Sequence, residues 1–500
     1  MVDFLTGLRF VGIACAAYLA WRATLVLLRI RWARHAYPTL EVDTDGEVSD
    51  WEDRCRGCLV GLAVGDALHL PAESLPRWLT RVRYAGPPKM RRGILRMARR
   101  AGDISDDTQL TISVARSIDP NGRYRHERFL AELGRWSYFR LGAGRASSDA
   151  AKAARRGEIR PSARSEGNGA AIRVAALAIA IEDTEQLVST SRENASATHG
   201  SEASASAAAF VALLLRECLV RPPSFLNTPT DLRSAIREAA QASGFAIEEA
   251  SLDMGREEAS GHVRETIPAV LSILLKKGND FEASMASVSQ IAGDTDSIAA
   301  LVGACVGAQI GWQALPPHWR GVVQQCDYLL WLAQRLANLT PEPKDYLAEI
   351  EIVEGDVAKR EVDVIVNAWN RNLIPVWLLV PQGVSKAIRT AGGGASIRAI
   401  SKSAPLPLGG VMETQADGLQ ATWVVHADAI NLAWRASRGS IRLAAHQSLQ
   451  LAHWLGARSV ALPCLGAGSG GHSPEIAMKI IQEVAEDHRE SFDRIELVRI

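Results

Sequence analysis

A chain of 500 residues exceeds what one ordinary hydrophobic core serves, so two large domains or three small ones are expected. A hydrophobic share of 47% with 22% charged residues excludes wholesale disorder. The 56 basic and 56 acidic residues cancel, which leaves no basic excess for sequence-independent nucleic-acid binding.

Residues 4–30 are apolar but interrupted. Phe10–Trp21 is bounded by Arg9 and Arg22, and Ala23–Leu28 runs into Arg29, Arg31 and Arg34. A spanning helix needs about 20 apolar residues, so a span here must carry Arg22 near its middle. A signal peptide would place its positive residues first, and this order is reversed. Three readings stand for residues 1–38: a poor membrane anchor with its basic end in the cytoplasm, an interfacial helix, or a dispensable extension. The expected location is cytoplasmic, with weak membrane association through residues 4–30 as the variant. Acidic, polar residues 39–50 read as a linker.

Trp51 opens the first domain. The seven cysteines of the chain are scattered, unlike a secreted disulfide framework. Cys55-Arg56-Gly57-Cys58 has neither a second pair nor a His-x₃₋₅-His partner, so both cysteines are read as core residues. Leu59–Leu68 is a small-residue helix interior in which Gly61 and Gly65 permit close helix contact. Glu73 follows Asp66 by seven residues, just beyond Pro71, where the helix should have ended. Arg91–Arg100 reads as a solvated basic loop or helix face.

Ser105-Asp106-Asp107-Thr108 places two carboxylates between two hydroxyls ahead of an apolar run. Such oxygen ligands suit Mg²⁺, Mn²⁺ or Ca²⁺ better than zinc. An ordinary N-cap has the same local sequence. A second cluster, Asp294-Thr295-Asp296-Ser297, again precedes a helical run, and two such clusters could close around one metal site or a pair. Between them the periodicity is helical: Ala170–Ile181, Ala203–Cys218, Leu232–Ala242, Ile267–Lys276, then Ser297–Trp312. Gly303, Gly307 and Gly311, four apart, predict tight helix packing in a soluble core.

The proline-bearing stretch 338–346 is read as a linker. After it, Val362–Val366, Trp423–His426, Val460–Pro463 and Arg494–Ile500 read as short buried strands. They alternate with helical stretches such as Val384–Thr390, Ile441–Leu455 and Ile476–His488. That grammar predicts an α/β domain over 347–500 with a mostly parallel or mixed sheet, after an all-α domain over 51–337.

The first domain resembles the ADP-ribosylglycohydrolase family. The resemblance lies in Gly57–Ala67, Ser105–Gln109, Gly167–Val174, Ala197–Gly200, Ser260–Thr266 and Gly293–Ser297, in that order. It implies an orthogonal all-α fold holding two Mg²⁺ (or Mn²⁺) ions on Ser105, Asp106, Asp107, Asp294, Asp296 and Ser297. Glu73 and Asp107 would handle protons at the reacting water or leaving group, while Asn168, Gly169 and His199 would line the ADP-ribose pocket. This chain departs from the family at His69 and Ala292, where glycine is usual, and has serine at 105 and 297.

The second domain resembles a macro domain of α/β/α type with a mixed central sheet. Glu354-Gly355-Asp356-Val357 follows its first strand, and the resemblance implies that Asp356 bonds the adenine amino group, with Val357 beside it. Val366-Asn367-Ala368-Trp369-Asn370 carries the signature, so Asn367 and Asn370 would serve the ligand. Gly383, Val384, Gly466, Ala467, Gly468, Ser469 and Gly470 would cradle the diphosphate with backbone N–H groups, which glycine permits by close approach. Trp369 replaces a small residue, Leu373–Gln382 replaces a glycine-rich lead-in, and the aspartate of hydrolytic macro domains has no counterpart.

Together these features imply a metal-dependent hydrolase that removes ADP-ribose from arginine- or serine-linked protein side chains, with a macro domain that binds ADP-ribose. Its partners would be ADP-ribosylated proteins and ADP-ribose, not nucleic acid. Hydrolysis of free derivatives (O-acetyl-ADP-ribose or poly-ADP-ribose) and a non-catalytic ADP-ribose reader are the alternatives.

Overall fold

A computed structural model describes residues 17–499 apart from 19, 22, 45, 74, 76–77, 80–81, 83–87, 93–98, 141–142, 163, 255–256, 340–345, 371–382 and 404. Most of Arg91–Arg100 and all of Leu373–Gln382 thus lie outside the described residues, as do residues 1–16. The first domain is helical. The helices that matter for function are α1 (Asp50–His69), α2 (Asp106–Ala115), α3 (His126–Trp136), α4 (Thr295–Ile310) and α5 (Cys326–Ala337).

α1 begins where Ser49 accepts the Glu52 N–H at 3.1 Å, behind a first turn rich in acid that complements the helix dipole. From Cys55 to His69 every residue of α1 is buried, and so is α4 from Thr295 to Gln309. Helices buried on all sides belong at a domain centre. The two meet through their glycines. A Cβ on Gly57 would lie 2.2 Å from the Gly307 carbonyl oxygen, one on Gly61 2.3 Å from that of Gly303, and one on Gly65 2.0 Å from that of Ala299. The four-residue spacing of glycines in both segments is therefore a backbone-to-backbone contact, as the sequence predicts.

Two expectations change. The helix expected over Ala170–Ile181 is two short ones, Gly169–Ile172 and Ala175–Ala180. Between them Arg173 is fully buried, its guanidinium bonded to the Asn194 side chain and carbonyl at 2.7 Å each and to Thr198 at 2.9 Å. The N-terminal segment also does not end as a detached extension at 38 with a linker after it. Ile30, Ala33, Ala36, Tyr37 and Leu40 are buried in the helical domain. Tyr37 stacks on Tyr328 at 5.0 Å, and the Leu40 N–H donates to Asp327 at 2.8 Å. These partners lie almost 300 residues away, which local composition cannot reveal.

Among the described residues one helix, Glu202–Val220, is long and apolar enough to cross a membrane. Most of its apolar window is buried inside the domain, where it serves as a core helix.

The second domain is built on six strands, β1 (Glu349–Glu354), β2 (Val364–Trp369), β3 (Val411–Gln415), β4 (Trp423–Asp428), β5 (Ser459–Pro463) and β6 (Arg494–Arg499). Their order is β1-β6-β5-β2-β4-β3, parallel except for the antiparallel edge pair β3 and β4. The mixed sheet is as expected. β1 and β3 escape a search for buried apolar runs because their sequences, Glu-Ile-Glu-Ile-Val-Glu and Val-Met-Glu-Thr-Gln, carry polar residues. In β3 those residues are buried all the same, since Glu413 meets the other domain and Thr414 meets His426.

The domains share a buried, charged seam. Arg116, which caps the C-terminus of α2, is fully buried and pairs two-pronged with Glu413 of β3, one contact being 2.8 Å. Glu132 of α3 binds the same guanidinium at 3.0 Å and also takes Arg128 and Arg135. Tyr328 donates to Glu413 at 3.0 Å. Around this cluster Trp331 of α5 packs on Trp423 and Trp454 from the second domain, with ring centres 5.9 and 5.5 Å apart. Buried charges need such paired, bonded surroundings to be tolerated.

Candidate active site

The site forms where α1, α2 and α4 converge. Pro71 follows α1 in a short 3₁₀ turn, Leu70–Ala72, and Glu73 is the next residue. α2 starts with Ser105 as N-cap, its hydroxyl accepting the Asp107 N–H at 3.1 Å. The bland N-cap reading of this segment is thus correct, and it coexists with the carboxylate cluster. Asp66 on α1 fastens this start from outside. Its buried carboxylate accepts the Ser105 N–H at 2.9 Å, the Thr108 N–H at 3.3 Å and the Thr108 hydroxyl at 2.5 Å.

α4 is approached through a two-residue parallel ladder that pairs Glu258 with Ala292 and Ala259 with Gly293. Gly293 sits at φ 103°, and a Cβ there would lie 2.2 Å from the Ala259 carbonyl oxygen, so glycine is required. Ala292, one residue earlier, is a buried ladder residue and tolerates its side chain. The departure from glycine there leaves the turn intact. His69 meets the second cluster through its carbonyl, which accepts from the Thr295 hydroxyl at 3.4 Å. Its ring is fully buried, with Nε2 facing the Met285 carbonyl at 3.1 Å and the Ser289 hydroxyl at 3.0 Å.

The carboxylates from the two halves of the domain come together. The Ser297 hydroxyl donates to Asp107 at 3.0 Å, and the Asn168 amide donates to Asp294 at 2.6 Å. Burial, and then the Glu73 charge, push Asp106 up to about 7. Asp296 is raised well above its ordinary value by burial and then by Glu73, Asp294 and Asp107. Asp107 is raised by burial and then by Asp106. Glu73, Asp106, Asp107, Asp294 and Asp296 therefore share one electrostatic neighbourhood.

The donor set fits a hard divalent cation. It is all oxygen, it is acidic, and Asp296 Oδ1 is buried with no hydrogen-bond partner. Among the described residues no three His, Cys, Asp or Glu side chains meet at ligating distance of one point. Asp107 and Asp294 are instead turned onto Ser297 and Asn168.

The wall beside Asp294 carries the expected pocket residues. The Asn168 N–H donates to the Gly261 carbonyl at 2.8 Å, and its amide also donates to Thr266 at 2.9 Å. A Cβ on Gly169 would stand 3.7 Å from the His199 ring, so Asn168, Gly169 and His199 line one surface. Burial, reinforced by Arg173, pushes His199 down to about 3 and keeps the ring neutral. Its Nδ1 faces the Thr198 hydroxyl at 2.7 Å. Asp66 and Thr266 are not among the site residues expected from sequence. The signal for Asp66 was an acid inside an otherwise small and apolar helix, which must be paired if buried.

In the second domain Asp356 accepts the Ala358 N–H at 2.9 Å and so caps the turn Val357–Lys359 after β1. Gly383 and Val384 begin the helix Gly383–Thr390. The loop Gly466–Gly470 follows β5, with Gly466 and Gly470 buried against Ala436 while Gly468 and Ser469 are exposed at its rim, beside Ala467. Asn370 directly follows β2 and is half-buried. Asn367 lies deeper than Asn370. It is fully buried, its amide group meeting His426 Nδ1 at 2.9 Å and its oxygen accepting from Ser385 at 2.9 Å. It anchors a network that continues through His426 to Thr414 and Ser396. Trp369 lies edge-on to His426 at 5.8 Å.

Comparison with known proteins follows this division. A family model described as ADP-ribosylglycohydrolase matches residues 47–345, and one described as Macro domain matches 366–481. An uncharacterized protein of Mycobacterium bovis is 35% identical over 181 residues, 35% of this chain and 49% of its own. The chain thus spans about half the length of the curated mycobacterial relatives it matches. ADP-ribosylarginine hydrolase Tri1 of Pseudomonas putida is 28% identical over 311 residues, 58% of this chain and 79% of that one. A solved structure titled "ADP-ribosylglycohydrolase-related protein complex" is 26% identical and covers 58% of this chain and 99% of its own, with a TM-score of 0.47.

Proposed function

The chain belongs to the ADP-ribosylglycohydrolase family, with a macro domain after the glycohydrolase domain, and from that premise we propose that it is a metal-dependent hydrolase releasing ADP-ribose from arginine-linked protein side chains. The observation that carries the proposal is the joining of Asp106 and Asp107 on α2 with Asp294 and Asp296 at the start of α4, beside Glu73. The arginine linkage is supported by the Pseudomonas putida relative, named an ADP-ribosylarginine hydrolase. A serine linkage is the variant to test beside it.

Two Mg²⁺ or Mn²⁺ ions on Ser105, Asp106, Asp107, Asp294, Asp296 and Ser297 would supply Lewis acidity at the ribose hydroxyls. The chain's own residues do the rest. Asn168 spends its two amide N–H groups on Thr266 and Asp294, so it would meet the ribose through its amide oxygen while holding the Asp294 carboxylate in place. The neutral His199 ring offers an uncharged, buried face to the nucleotide. Glu73 would take a proton from the attacking water, and Asp107 would hold one near the leaving nitrogen. The macro domain binds ADP-ribose on the product or on a neighbouring modification.

The test is release of ADP-ribose from peptides modified at arginine or at serine, with and without Mn²⁺ or Mg²⁺. Metal-dependent release from the arginine peptide supports the proposal. Release from the serine peptide alone would replace the linkage, and no release from either would sink the hydrolase reading.

A further inference from the structure

Beside the seam between the domains, a cavity of about 950 Å³ takes its walls from both. The helical domain supplies Arg116, Ser117 and Arg128, all buried, and the second domain supplies buried Trp454 and half-buried Gln450. Cavities of this size at domain junctions are common seats of small ligands.

Charge at the inner wall does not balance. The buried guanidinium groups of Arg116, Arg128 and Arg135 share the carboxylates of Glu132 and Glu413. Arg335 of α5 adds a fourth cation. Its Nε donates to the Trp454 carbonyl at 2.9 Å, while both terminal nitrogens are buried with no hydrogen-bond partner among the described residues. The Arg335 and Arg116 guanidinium carbons lie 4.6 and 5.0 Å from the centre of the Trp454 ring. Asp119 also lines the cavity, but it is engaged by Arg125 at 2.7 Å and by the Asn121 and Arg123 N–H groups. Arg128 Nη1 donates to Gln447 at 3.2 Å, and its Nε has no partner among the described residues. Burial pushes Arg128 down to about 10 against the pull of Glu132, and Arg116 and Arg135 add to the push. Burial also pushes Arg335 down to about 10. Buried cations in excess call for an anion, and unbonded buried donors call for an acceptor.

The outer lining is different in kind. Beside the exposed Arg123 and Arg125 it carries the exposed carboxylates Glu127, Asp487 and Glu490. The buried Gln450 oxygen has no donor among the described residues. Oxygens of both kinds accept from hydroxyl groups.

We propose that this cavity binds a phosphorylated sugar, its phosphate against Arg116 and Arg128 and its hydroxyls toward Gln450 and the outer carboxylates. Guanidinium groups hold phosphate oxygens in two-pronged, charge-assisted pairs. A phosphate dianion brings the two charges by which Glu132 and Glu413 fall short of Arg116, Arg128, Arg135 and Arg335. The outer carboxylates repel that phosphate and so set the direction of the ligand. Because both domains line the cavity, the ligand bridges them and its binding favours the docked arrangement. The proposal does not rest on the hydrolase reading, since the carboxylate cluster is no part of this lining.

Calorimetric titration of the full chain without divalent metal compares glucose 6-phosphate, inorganic phosphate and glucose. A hexose is used because a ribose would also suit an ADP-ribose site. Glucose 6-phosphate is expected to bind most tightly, phosphate more weakly, and glucose not measurably. Arg128→Met should weaken both anions about tenfold or more. Gln450→Leu should weaken glucose 6-phosphate about fivefold and leave inorganic phosphate unchanged. No heat with glucose 6-phosphate overturns the proposal, as does binding that Arg128→Met leaves unchanged or glucose binding as tightly as its phosphate. Should Arg128→Met not fold, equal glucose 6-phosphate binding by Gln450→Leu and the parent chain overturns it instead.

Discussion

Arg116 and Glu413, 297 positions apart, form a fully buried ion pair that fastens the helical domain to the edge of the second domain's sheet. The same Arg116 ends the helix whose first turn holds Asp106 and Asp107. The macro domain is thus docked rather than tethered, and the helix that presents the carboxylates is pinned at both ends, by Asp66 at its start and Glu413 at its finish.

Removing Glu413 leaves Glu132 as the one carboxylate among the buried Arg116, Arg128 and Arg135. Glu413→Ala is expected to cost about 3–5 kcal/mol. Urea unfolding of the full chain, followed by the fluorescence of Trp331, Trp423 and Trp454 at the seam, measures it. Replacing both partners with Arg116→Met and Glu413→Met should recover much of the loss. A cost for Glu413→Ala within ordinary surface-mutation range would mean that the seam is not closed in solution.

Acid should open the same seam. Burial alone would push Glu132 up, but Arg116, Arg135 and Arg128 hold it down at about 2, and Arg116 likewise keeps Glu413 below its ordinary value. Groups depressed in the folded state give stability that is fully present above their unfolded values and is lost as pH falls through the folded ones. Domain docking should therefore hold at neutral pH and weaken progressively from about pH 4.5 down toward 2. The pH dependence of the tryptophan signal checks this, and Glu413→Gln should flatten part of it.

Asp66 touches no substrate in this account, yet it positions Ser105 and Thr108. Asp66→Asn replaces one acceptor oxygen with a donor facing N–H groups. Turnover should fall about 10–100-fold at fixed Mn²⁺ and recover in part as Mn²⁺ is raised, with the helical circular-dichroism signal retained. Loss of signal on raising Mn²⁺, or no change at all, would remove Asp66 from this positioning role.

The glycine contact between α1 and α4 leaves no room for a methyl group. Gly61→Ala should cost at least about 1–3 kcal/mol, because its Cβ would meet the Gly303 backbone and not a flexible side chain. The melting temperature reads this directly. Gly144→Ala, where a Cβ meets nothing within 4 Å, is the control.

What the sequence made legible was local. Ser105-Asp106-Asp107 and Asp294-Thr295-Asp296 each announce themselves within a few residues, and the four-residue glycine spacing of α1 and α4 is itself a packing instruction. What it hid depends on distant partners. Glu413 gives no local sign of burial without Arg116 beside it, and β3 lacks an apolar run for the same reason. Asn367 belongs to a recognisable signature, but its side chain is buried against His426, while Asn370, three residues on, lies just past the strand's end. His69 reads as a departure at the site mouth, whereas its ring points away to Met285 and Ser289.

The central claim is that carboxylates from both ends of the helical domain act as one metal-assisted hydrolytic site. It is tested most directly by ADP-ribose release from an arginine-modified peptide, comparing parent chain, Asp106→Ala and Asp294→Asn with Mn²⁺ and after chelation. The account predicts release by the parent with Mn²⁺ and a loss of roughly 10²-fold or more in either variant and on chelation. Equal release by the parent and Asp106→Ala, or release that chelation leaves untouched, would contradict it.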